Sequence, residues 1–437
     1  MKNILKIDKI LKPFNKKIYV EGDKSLSIRW VLLSSLSKKK SIAYNLLKSE
    51  DVYSAINCIR NLGCKVLLKK NKCEIVGAGL KYKIKKNIII NAGNSGTLGR
   101  LILGLLINAE NKITLIGDKS LSKRDFSRVT LPLKKFGASF KSSNKKLPLI
   151  MKGLENPQSI TYKEDKGSAQ CKTSVIFAAL KANGETKIKA KKSRDHTELL
   201  LKYLKVPIKV ERKKNYDLIK VKKINQIDQL NYKIPGDLSS CAFFIVLTIL
   251  SKKSKLLIKN INVNPTRIGL IKILKKMGAF IRILNKKNYK GEKIADIFVK
   301  SSQNLKGINC PTNLNSSAID EFLVIFLVAA RSRGVSFFKN LSELNEKESP
   351  RLKWGSKILS NIGIKNVTTK DSIKIFGNPE VTIDKTVKIK GFLKDHRVFM
   401  MSTIAALTFG GKWEINDLDS IKTSFPSFLK TLNLIKQ

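Results

Sequence analysis

The chain has 437 residues, six cysteines, two histidines and a formal net charge of +53 at pH 7. This length predicts two or three domains with large cores. The cysteines form no CxxC pair and lie near no histidine, so we expect reduced, mostly buried thiols and no metal site. The longest apolar runs, residues 242–250 and 322–330, are too short to span a bilayer. Residues 1–11 lack a signal-peptide pattern, and we therefore expect a cytoplasmic protein without a membrane partner.

The strong positive charge is compatible with a nucleic-acid partner or an acidic membrane surface. However, the lysines are scattered singly and in pairs, and the chain has neither a basic tail nor basic runs interleaved with aromatic residues. Compositional drift together with a small polyanionic substrate is the favoured interpretation. A basic nucleic-acid-binding protein remains the alternative outside the enzyme class, but it would not explain the paired carboxylates described below.

Residues 22–29, Gly-Asp-Lys-Ser-Leu-Ser-Ile-Arg, begin the first apolar helix pattern. Gly22 permits a sharp turn, and Ser25 or Ser27 is expected to cap a helix over residues 28–36. Lys24 and Arg29 then lie near the positive end of that helix, which favours an anion. The alternative is an ordinary capped helix with solvated basic side chains.

The hexapeptide GDKSLS occurs again at residues 117–122, followed by Arg124, and a related stretch occupies residues 236–240. This repetition favours the interpretation that several helix starts bind anions. A bulky residue followed by glycine also ends several amphipathic stretches, at Gly63, Gly137, Gly278 and Gly363. Lys205 takes the place of glycine in a degenerate copy. The spacing is about one sixth of the chain, roughly 73 residues, which indicates repeated supersecondary units.

The first repeat illustrates the predicted order of elements. We predict a first strand over residues 4–20, a helix at 27–36, a strand at 41–46, a helix at 51–61, and strands at 65–68 and 73–76. A nearly all-apolar helix is predicted over residues 317–330, and such helices belong in the interior. The expected fold is α/β: a two-domain inside-out barrel in which each domain has three βαβαββ units, with buried parallel helices and outer sheets.

The boundary is placed at the turn residues Pro235-Gly236-Asp237. We expect the first domain to span residues 22–235 and the second to combine residues 1–21 with 236–437. The hinge would then lie near residues 20–23 and 235–237.

Eight short motifs together resemble the family of 5-enolpyruvylshikimate-3-phosphate (EPSP) synthases, the 3-phosphoshikimate 1-carboxyvinyltransferases, over nearly the whole chain. They are GDKS with Arg29, GNSGT at 93–97 with Arg100, GSAQ at 167–170, NPTR at 264–267, IDE at 319–321, KES at 347–349 with Arg351, DHR at 395–397 and SFP at 424–426. The Ser-Ala-Gln and Ser-Arg-Asp-His-Thr-Glu stretches resemble the branch called class II.

The resemblance implies a transferase of the shikimate pathway, which leads to chorismate and the aromatic amino acids. The reaction would move the enolpyruvyl group of phosphoenolpyruvate to the 5-hydroxyl of shikimate 3-phosphate and release phosphate. Both substrates are small polyanions, and the resemblance implies no cofactor, no metal and no nucleic acid. We expect a monomer.

The family motifs also imply roles for individual residues. Shikimate 3-phosphate would be bound by Lys24, Ser25, Arg29, Ser168, Ala169, Gln170, Ser193, Asp320 and Lys347, with Arg194 bordering its phosphate. Phosphoenolpyruvate would be bound by Lys24, Gly96, Arg124, Gln170, Arg351 and Arg397. Arginine suits both anions because its planar fork binds them through two hydrogen bonds.

The chemistry requires a base for the attacking hydroxyl and an acid for the methylene carbon. Asp320 is the candidate base and Glu348 the candidate acid, because carboxylates with different cationic neighbours can hold different protonation states. Lys24 is a third candidate, for electrostatics and proton transfer. The structural alternative for Asp320 is a helix N-cap.

The chain departs from the family pattern at three places: Asp125 replaces a usual proline, Pro350 a usual aspartate, and Thr423 a common lysine, with Lys422 one place earlier. The resemblance also implies that the inhibitor glyphosate competes with phosphoenolpyruvate and that Gly96 leaves room for it.

The runner-up is the sister enolpyruvyl transferase acting on UDP-N-acetylglucosamine. That family uses a loop cysteine, and residues 115–127 contain none here. The Lys-Ser pair at 24–25 also fits the shikimate branch better.

Overall fold

A computed structural model describes residues 3–82, 84 and 87–437. Met1 and Lys2, which begin the segment predicted as 1–21, lie outside the described residues. The described helices are α1 (Lys24–Ser34), α2 (Glu50–Asn61), α3 (Gly96–Leu105), α4 (Ser127–Lys135), α5 (Ala169–Ala179), α6 (His196–Tyr203), α7 (Leu238–Leu250), α8 (Gly269–Lys276), α9 (Asn315–Ala318), α10 (Phe322–Ala330), α11 (Arg351–Asn361), α12 (His396–Phe409) and α13 (Phe428–Lys436).

The described strands follow the same chain order. They are β1 (Ile4–Ile7), β2 (Asn15–Tyr19), β3 (Lys40–Tyr44), β4 (Lys65–Leu68), β5 (Lys72–Val76), β6 (Ile88–Asn91), β7 (Ile113–Ile116), β8 (Ser139–Ser142), β9 (Leu149–Lys152), β10 (Thr161–Glu164), β11 (Glu185–Lys191), β12 (Ile208–Arg212), β13 (Tyr216–Lys222), β14 (Tyr232–Lys233), β15 (Lys255–Asn262), β16 (Ile281–Tyr289), β17 (Glu292–Lys300), β18 (Val335–Phe338), β19 (Asn366–Thr368), β20 (Ile373–Phe376), β21 (Ile383–Ile389) and β22 (Gly410–Asn416).

The chain divides into two compact units. The first unit consists of Gly22–Ile234 and Asn288–Glu292, and the second of Met1–Glu21, Pro235–Lys287 and Lys293–Gln437. Among the described residues, the first unit holds the sheets β14-β3-β5-β4, β6-β7-β9-β8 and β10-β11-β13-β12, and the second holds β1-β22-β21, β16-β17-β15-β2 and β18-β20-β19.

The sheet β6-β7-β9-β8 shows how one repeat is built. Strands β6 and β7 pair in parallel, whereas β7 pairs with β9, and β9 with β8, antiparallel. Parallel neighbours need a crossover, which α3 provides, and the antiparallel pair β8 and β9 forms a hairpin after α4. This is the predicted βαβαββ order.

Each unit has helices that are buried around their whole circumference. In the first unit they are α1, α3 and α5, and in the second α7, α10 and α12. Apolar residues predominate in these helices, most completely in residues 322–330, so burial on all sides removes a large apolar area from water. The charged residues Arg29 of α1 and Lys172 of α5 are buried as well. Buried helices and outer sheets confirm the predicted layering.

The turns that end the amphipathic helices also confirm the repeat. Gly63, Gly137, Gly278 and Gly363 follow α2, α4, α8 and α11, and all have positive φ. Lys205 follows α6 with φ 56°, so the degenerate copy keeps the left-handed turn without a glycine. This conformation is typical of the residue after a helix.

Two predicted elements are wrong in their extent. The stretch 4–20 is not one strand but β1 and β2, and the intervening segment contains Pro13, which has no N–H for a strand ladder. The stretch 317–330 is not one helix, because α9 ends at Ala318 and α10 begins at Phe322. The break places Asp320 in a turn.

All six cysteines are buried, and none of them forms a disulfide in the described part of the chain. Burial raises the pKa of the Cys64 and Cys310 thiols to about 11, so both remain protonated near neutral pH. No helix in the described part of the chain is long and apolar enough to cross a membrane.

Candidate active site

The first turn of α1 is capped by Asp23. Its Oδ1 accepts a hydrogen bond of 2.9 Å from the backbone N–H of Leu26, and its side chain is fully buried. The predicted caps Ser25 and Ser27 lie inside the helix instead, so that expectation is wrong. Lys24 is the first helical residue, and its Nζ lies 2.9 Å from Oδ2 of Asp51.

Arg29 is buried one turn further along α1. Its Nε donates to Oγ1 of Thr197 at 2.9 Å, and its Nη2 donates to Oγ1 of Thr173 at 3.3 Å. The two threonine hydroxyls lie 2.8 Å apart, and Nη1 donates to the backbone oxygen of Ser25 at 3.1 Å. The guanidinium of Arg29 therefore joins the beginnings of α1, α5 and α6.

The start of α5 carries the Ser-Ala-Gln motif. Ser168 caps the helix, because its Oγ accepts from the backbone N–H of Cys171 at 3.2 Å, and Ala169 is the first helical residue. Gln170 donates through Nε2 to Oγ1 of Thr97 at 3.0 Å, and its Oε1 accepts from Nη1 of Arg100 at 2.9 Å. The side chain of Gln170 thus connects α5 with α3.

Gly96 is the first residue of α3 and faces two arginines. A methyl group built on its Cα would lie 2.8 Å from Nη1 of Arg100 and 3.0 Å from Nη1 of Arg124. Arg124 also donates through Nη2 to Oγ of Ser120 at 3.4 Å. Gly96, Arg100, Arg124 and Gln170 are therefore neighbours.

The second GDKSLS copy does not begin an α-helix. It forms a short 3-10 turn at Leu121–Lys123, although Asp118 accepts from the backbone N–H of Leu121 at 2.7 Å just as Asp23 does for Leu26. The shared peptide therefore fixes the turn. The continuation differs, because an apolar run follows the first copy and Lys-Arg-Asp follows the second.

Ser193 lies three residues before α6, and its buried Oγ has no hydrogen-bond partner among the described residues. Asp195, which lies between Ser193 and the start of α6, forms an ion pair with Arg212, whose Nη2 lies 2.6 Å from Oδ2 of Asp195.

In the second unit, Arg351 lies among three carboxylates. Its Nε donates to Oδ2 of Asp395 at 2.9 Å and its Nη2 contacts Glu348, while Nη1 lies 3.5 Å from Oδ1 of Asp320. Burial alone lowers the pKa of the Arg351 guanidinium, but the charges of Asp395 and Glu348 outweigh it and hold that pKa above its ordinary value. Arg351 therefore stays charged, and it fixes both predicted catalytic carboxylates.

Two further cations surround Asp320. Nζ of Lys347 lies 3.4 Å from its Oδ1, and Nη1 of Arg397 donates to its backbone oxygen at 2.6 Å. Asp320 does not cap α10: Glu321 occupies that position, without a side-chain cap hydrogen bond. The structural alternative for Asp320 is therefore wrong.

A network that the sequence did not predict lies next to Asp320 in the chain. Oε1 of Glu321 accepts from Oγ of Ser239 at 2.5 Å, and Ser239 Oγ accepts from Nη2 of Arg267 at 2.6 Å. Arg267 also lies 3.1 Å from Asp237, which caps α7 through the N–H of Ser239. The NPTR motif was a signal for Arg267, whereas Ser239 lay in a stretch noted only for its similarity to GDKSLS.

The family departures have simple structural consequences. Pro350 directly precedes α11, and Arg351 is supported by Asp395 instead of by position 350. Oγ1 of Thr423 lies 3.3 Å from Nδ1 of His396, while Lys422 is exposed. Within the described ranges, no group of three or more His, Cys, Asp or Glu side chains could hold a metal ion.

Comparison with known proteins identifies the family. The family model for EPSP synthase (3-phosphoshikimate 1-carboxyvinyltransferase) matches residues 9–432. A 3-phosphoshikimate 1-carboxyvinyltransferase of Ruthia magnifica is 39% identical over 98% of this chain and 97% of its own length, and one of Endomicrobium trichonymphae is 38% identical over 96% of each chain.

The solved EPSP synthase of Acinetobacter baumannii superposes with a TM-score of 0.86 at 31% identity, covering 99% of this chain and 98% of its own. This match confirms the predicted two-domain inside-out α/β fold. The family match also decides against the sister transferase. The chain belongs to the EPSP synthase family, the 3-phosphoshikimate 1-carboxyvinyltransferases of the shikimate pathway, which transfer the enolpyruvyl group of phosphoenolpyruvate to shikimate 3-phosphate.

Proposed function

We propose that this chain performs its family's enolpyruvyl transfer with Asp320 as general base and Glu348 as general acid. One observation carries the assignment: both carboxyl groups contact the guanidinium of Arg351, through Nη1 and Nη2. A base and an acid for one reaction must be held near each other with fixed orientations. Arg351 meets that requirement for both.

The proton steps balance over the reaction. In the addition step, Asp320 takes the proton of the 5-hydroxyl while the oxygen of that hydroxyl bonds to C2 of phosphoenolpyruvate. Glu348 gives a proton to the methylene carbon C3. In the elimination step, Glu348 recovers a proton from C3, the C2–O bond to phosphate breaks, and Asp320 returns its proton to the leaving phosphate. Both carboxyl groups end as they began.

Glu348 must hold a proton before the addition step, and its contact with Arg351 favours the ionised form. We therefore propose that this contact opens when the donor carboxylate arrives and takes the place of Glu348 on the guanidinium. The same exchange gives Arg351, which is 2% exposed, a route to the donor.

The proposed shikimate 3-phosphate site uses residues held in the first unit. Arg29 supplies a cation that hydroxyl groups orient, and the capping turn Ser168-Ala169 supplies polar groups at a helix N-terminus. The proposed set also includes Ser25, Gln170 and Ser193, together with Lys347 and Asp320 of the second unit.

The proposed donor site uses Lys24, Gly96, Arg124, Gln170, Arg351 and Arg397. In the first unit, the neighbouring positions of Gly96, Arg124 and Gln170 support this set. Lys24 is paired with Asp51, so we propose that the incoming anion competes with that carboxylate for its ammonium group.

We propose that the two units act as domains with a hinge near residues 20–23 and 235–237. Cations in both domains would repel each other until polyanions neutralise them. Shikimate 3-phosphate should therefore lower the radius of gyration measured by small-angle scattering. An unchanged radius at saturation would count against the hinge.

We also propose that the chain is a cytoplasmic monomer without a nucleic-acid partner. The six buried cysteines, which form no disulfide in the described structure, support a reducing compartment. Light scattering coupled to gel filtration tests the mass, and filter binding across a salt series tests nucleic acid. A dimer mass, or binding with a steep salt dependence at physiological ionic strength, would contradict this proposal.

The decisive test of activity is phosphate release from purified protein with both substrates present. Omission of either substrate should abolish the release. Replacement of shikimate 3-phosphate by UDP-N-acetylglucosamine is the control for the sister reaction. Release with the sugar nucleotide but not with shikimate 3-phosphate would overturn the proposal.

A further inference from the structure

Three buried charges lie beside the turn that begins α5, and no step proposed above uses them. Lys172 in α5 is fully buried, and its Nζ lies 2.6 Å from Oε1 of Glu198 in α6, which is also buried. Glu164, the last residue of β10, is the third buried charge, and it accepts a hydrogen bond of 3.1 Å from the backbone N–H of Lys166.

The ion pair is adjacent to the threonine pair that holds Arg29. Thr173 follows Lys172 in α5, and Thr197 precedes Glu198 in α6. Consecutive residues of one helix therefore contact consecutive residues of the other, first through hydroxyls 2.8 Å apart and then through the ion pair. A shift of α6 relative to α5 would break both contacts, and it would move the hydroxyls that orient Arg29.

Glu164 extends the connection to the capping turn of α5. Burial raises the pKa of Glu164, while hydrogen bonds from the backbone of Ser168, Lys166 and Gly167 and the charge of Lys172 act in the opposite direction. The backbone of the capping turn therefore holds the Glu164 carboxylate, and the charge of Lys172 acts on it.

The cluster is a poor arrangement for stability alone. Oε2 of Glu198 and Oε2 of Glu164 are buried and have no hydrogen-bond partner among the described residues. Apolar residues of the same volume often stabilise a fold as well as a buried ion pair does or better, whereas an ion pair fixes direction. The arrangement favours a role in geometry.

We propose that Lys172, Glu198 and Glu164 are positioning residues for acceptor binding. They hold the N-terminal turns of α5 and α6 in register, so that Ser168 and Arg29 present their donors to shikimate 3-phosphate in one fixed arrangement. This inference rests on the assignment of Ser168 and Arg29 proposed above, and it adds residues that do not touch the substrate.

The test compares Lys172→Met and Glu198→Gln with wild type by calorimetric titration of shikimate 3-phosphate. Each change should raise the Kd about tenfold, the lower end of what the loss of an indirect support costs. The KM for phosphoenolpyruvate and kcat at saturating shikimate 3-phosphate should stay close to wild type. A purely structural role would lower the melting temperature without this selective change in Kd.

Lys181 provides the matched control. It is a second buried lysine just beyond the other end of α5, and its Nζ donates to Oδ1 of Asn108 at 2.9 Å. Lys181→Met is the same side-chain change as Lys172→Met, but it is made at the opposite end of α5 from Ser168. It should leave the Kd for shikimate 3-phosphate unchanged, whatever it does to the melting temperature.

A double variant, Lys172→Met with Glu198→Leu, separates geometry from stability. It leaves no unpaired charge from the pair, so its melting temperature should recover while its Kd stays raised. A wild-type Kd in this variant or in Glu198→Gln would overturn the inference, and so would an equal rise in Lys181→Met. If wild type itself does not bind shikimate 3-phosphate, the proposed function fails instead. If Lys172→Met does not fold, Glu198→Gln decides alone.

Discussion

The two units hold their site cations in different ways. In the first unit, the hydroxyls of Thr173 and Thr197 orient Arg29, and Gln170 accepts from Arg100. In the second unit, Arg351 lies among Asp395, Glu348 and Asp320. Hydroxyl and amide oxygens thus contact the guanidinium groups of Arg29 and Arg100 in the first unit, whereas carboxylates surround that of Arg351 in the second.

This difference separates two tasks. A cation oriented by hydroxyl groups keeps its charge available for a phosphate dianion. A cation among carboxylates is partly neutralised by them, but it can hold in place the groups that act as acid and base in proton transfer. Lys24 departs from this division in the first unit because it pairs with Asp51. That departure suits a residue proposed to take part in both binding and proton transfer.

The largest expected effect comes from the two carboxyl groups of the second unit that we propose as base and acid. Asp320→Ala and Glu348→Ala should each lower kcat by about 10²–10⁴-fold, the usual contribution of general acid–base catalysis, with a much smaller change in KM. Steady-state phosphate release measures both constants. A variant that keeps nearly wild-type kcat would show that its carboxyl group is not the acid or base.

The second effect is on stability, and it tests the comparison directly. Arg351→Met should lower the free energy of unfolding by about 3–5 kcal/mol, because it leaves buried carboxylates without their counter-charge. Arg29→Met should cost less, since Thr173 and Thr197 still bond to each other. Urea unfolding of both variants measures the difference.

A second change in the same site provides the control. Oδ1 of Asp395 accepts from the backbone N–H of Arg397, and Oδ2 accepts from Oγ of Ser349. Asp395→Asn removes one uncompensated charge, its remaining oxygen can keep the hydrogen bond from Arg397, and its amide group can donate to the hydroxyl of Ser349. Added to Arg351→Met, it should restore part of the lost stability. Equal losses for Arg29→Met and Arg351→Met would remove the distinction between the two units.

The fold was predictable because its signals are local and repeated. All-apolar helices and left-handed turns recur, and even Lys205 keeps the turn where the glycine is missing. Errors arose where several local solutions compete. Asp23, Ser25 and Ser27 are all good capping residues, and the geometry of the turn selected Asp23.

The site was predictable only as a set of residues, because their partners come from distant parts of the chain. The helix expected over 317–330 is interrupted where Asp320 contacts Lys347 and Arg351, and Glu321 contacts Ser239. No local sequence pattern predicts these contacts. The same holds for Asp51 beside Lys24.

The third effect concerns Arg29, the cation of the first unit that we propose to bind shikimate 3-phosphate. Arg29→Lys keeps the charge but loses the fork that reaches both threonine hydroxyls, so it should raise the Kd for shikimate 3-phosphate about ten- to hundredfold, as expected for lost hydrogen bonds to a charged group. Calorimetric titration measures this. Arg60→Lys, on the exposed face of α2, is the control and should bind normally. An unchanged Kd for Arg29→Lys would mean that charge alone suffices.

The smallest effect tests the arginines next to Gly96. In Gly96→Ala the new methyl group would lie 2.8 Å from Arg100 Nη1 and 3.0 Å from Arg124 Nη1. Both are ends of flexible side chains, so they can move and the fold should tolerate the change. We expect their movement to narrow the proposed donor site, which would disfavour glyphosate because it is longer than phosphoenolpyruvate. We expect the wild type to be sensitive.

Gly96→Ala should raise the inhibition constant at least about tenfold more than the KM for phosphoenolpyruvate, within the range one methyl group can discriminate. Gly99→Ala in the same helix is the matched control, because the nearest atoms beyond its chain neighbours belong to Phe126, at an ordinary 3.4 Å, and to Ala92. It should leave the ratio of the two constants unchanged.

The inhibition constant and the KM, measured at matched donor concentrations for all three proteins, test this prediction. A wild type that tolerates the inhibitor, or equal ratios in the two alanine variants, would show that the side chains beside Gly96 do not set selectivity. Arg100 donates to Gln170 and Arg124 donates to Ser120, and only the guanidinium ends of these flexible side chains lie in the way of the methyl group.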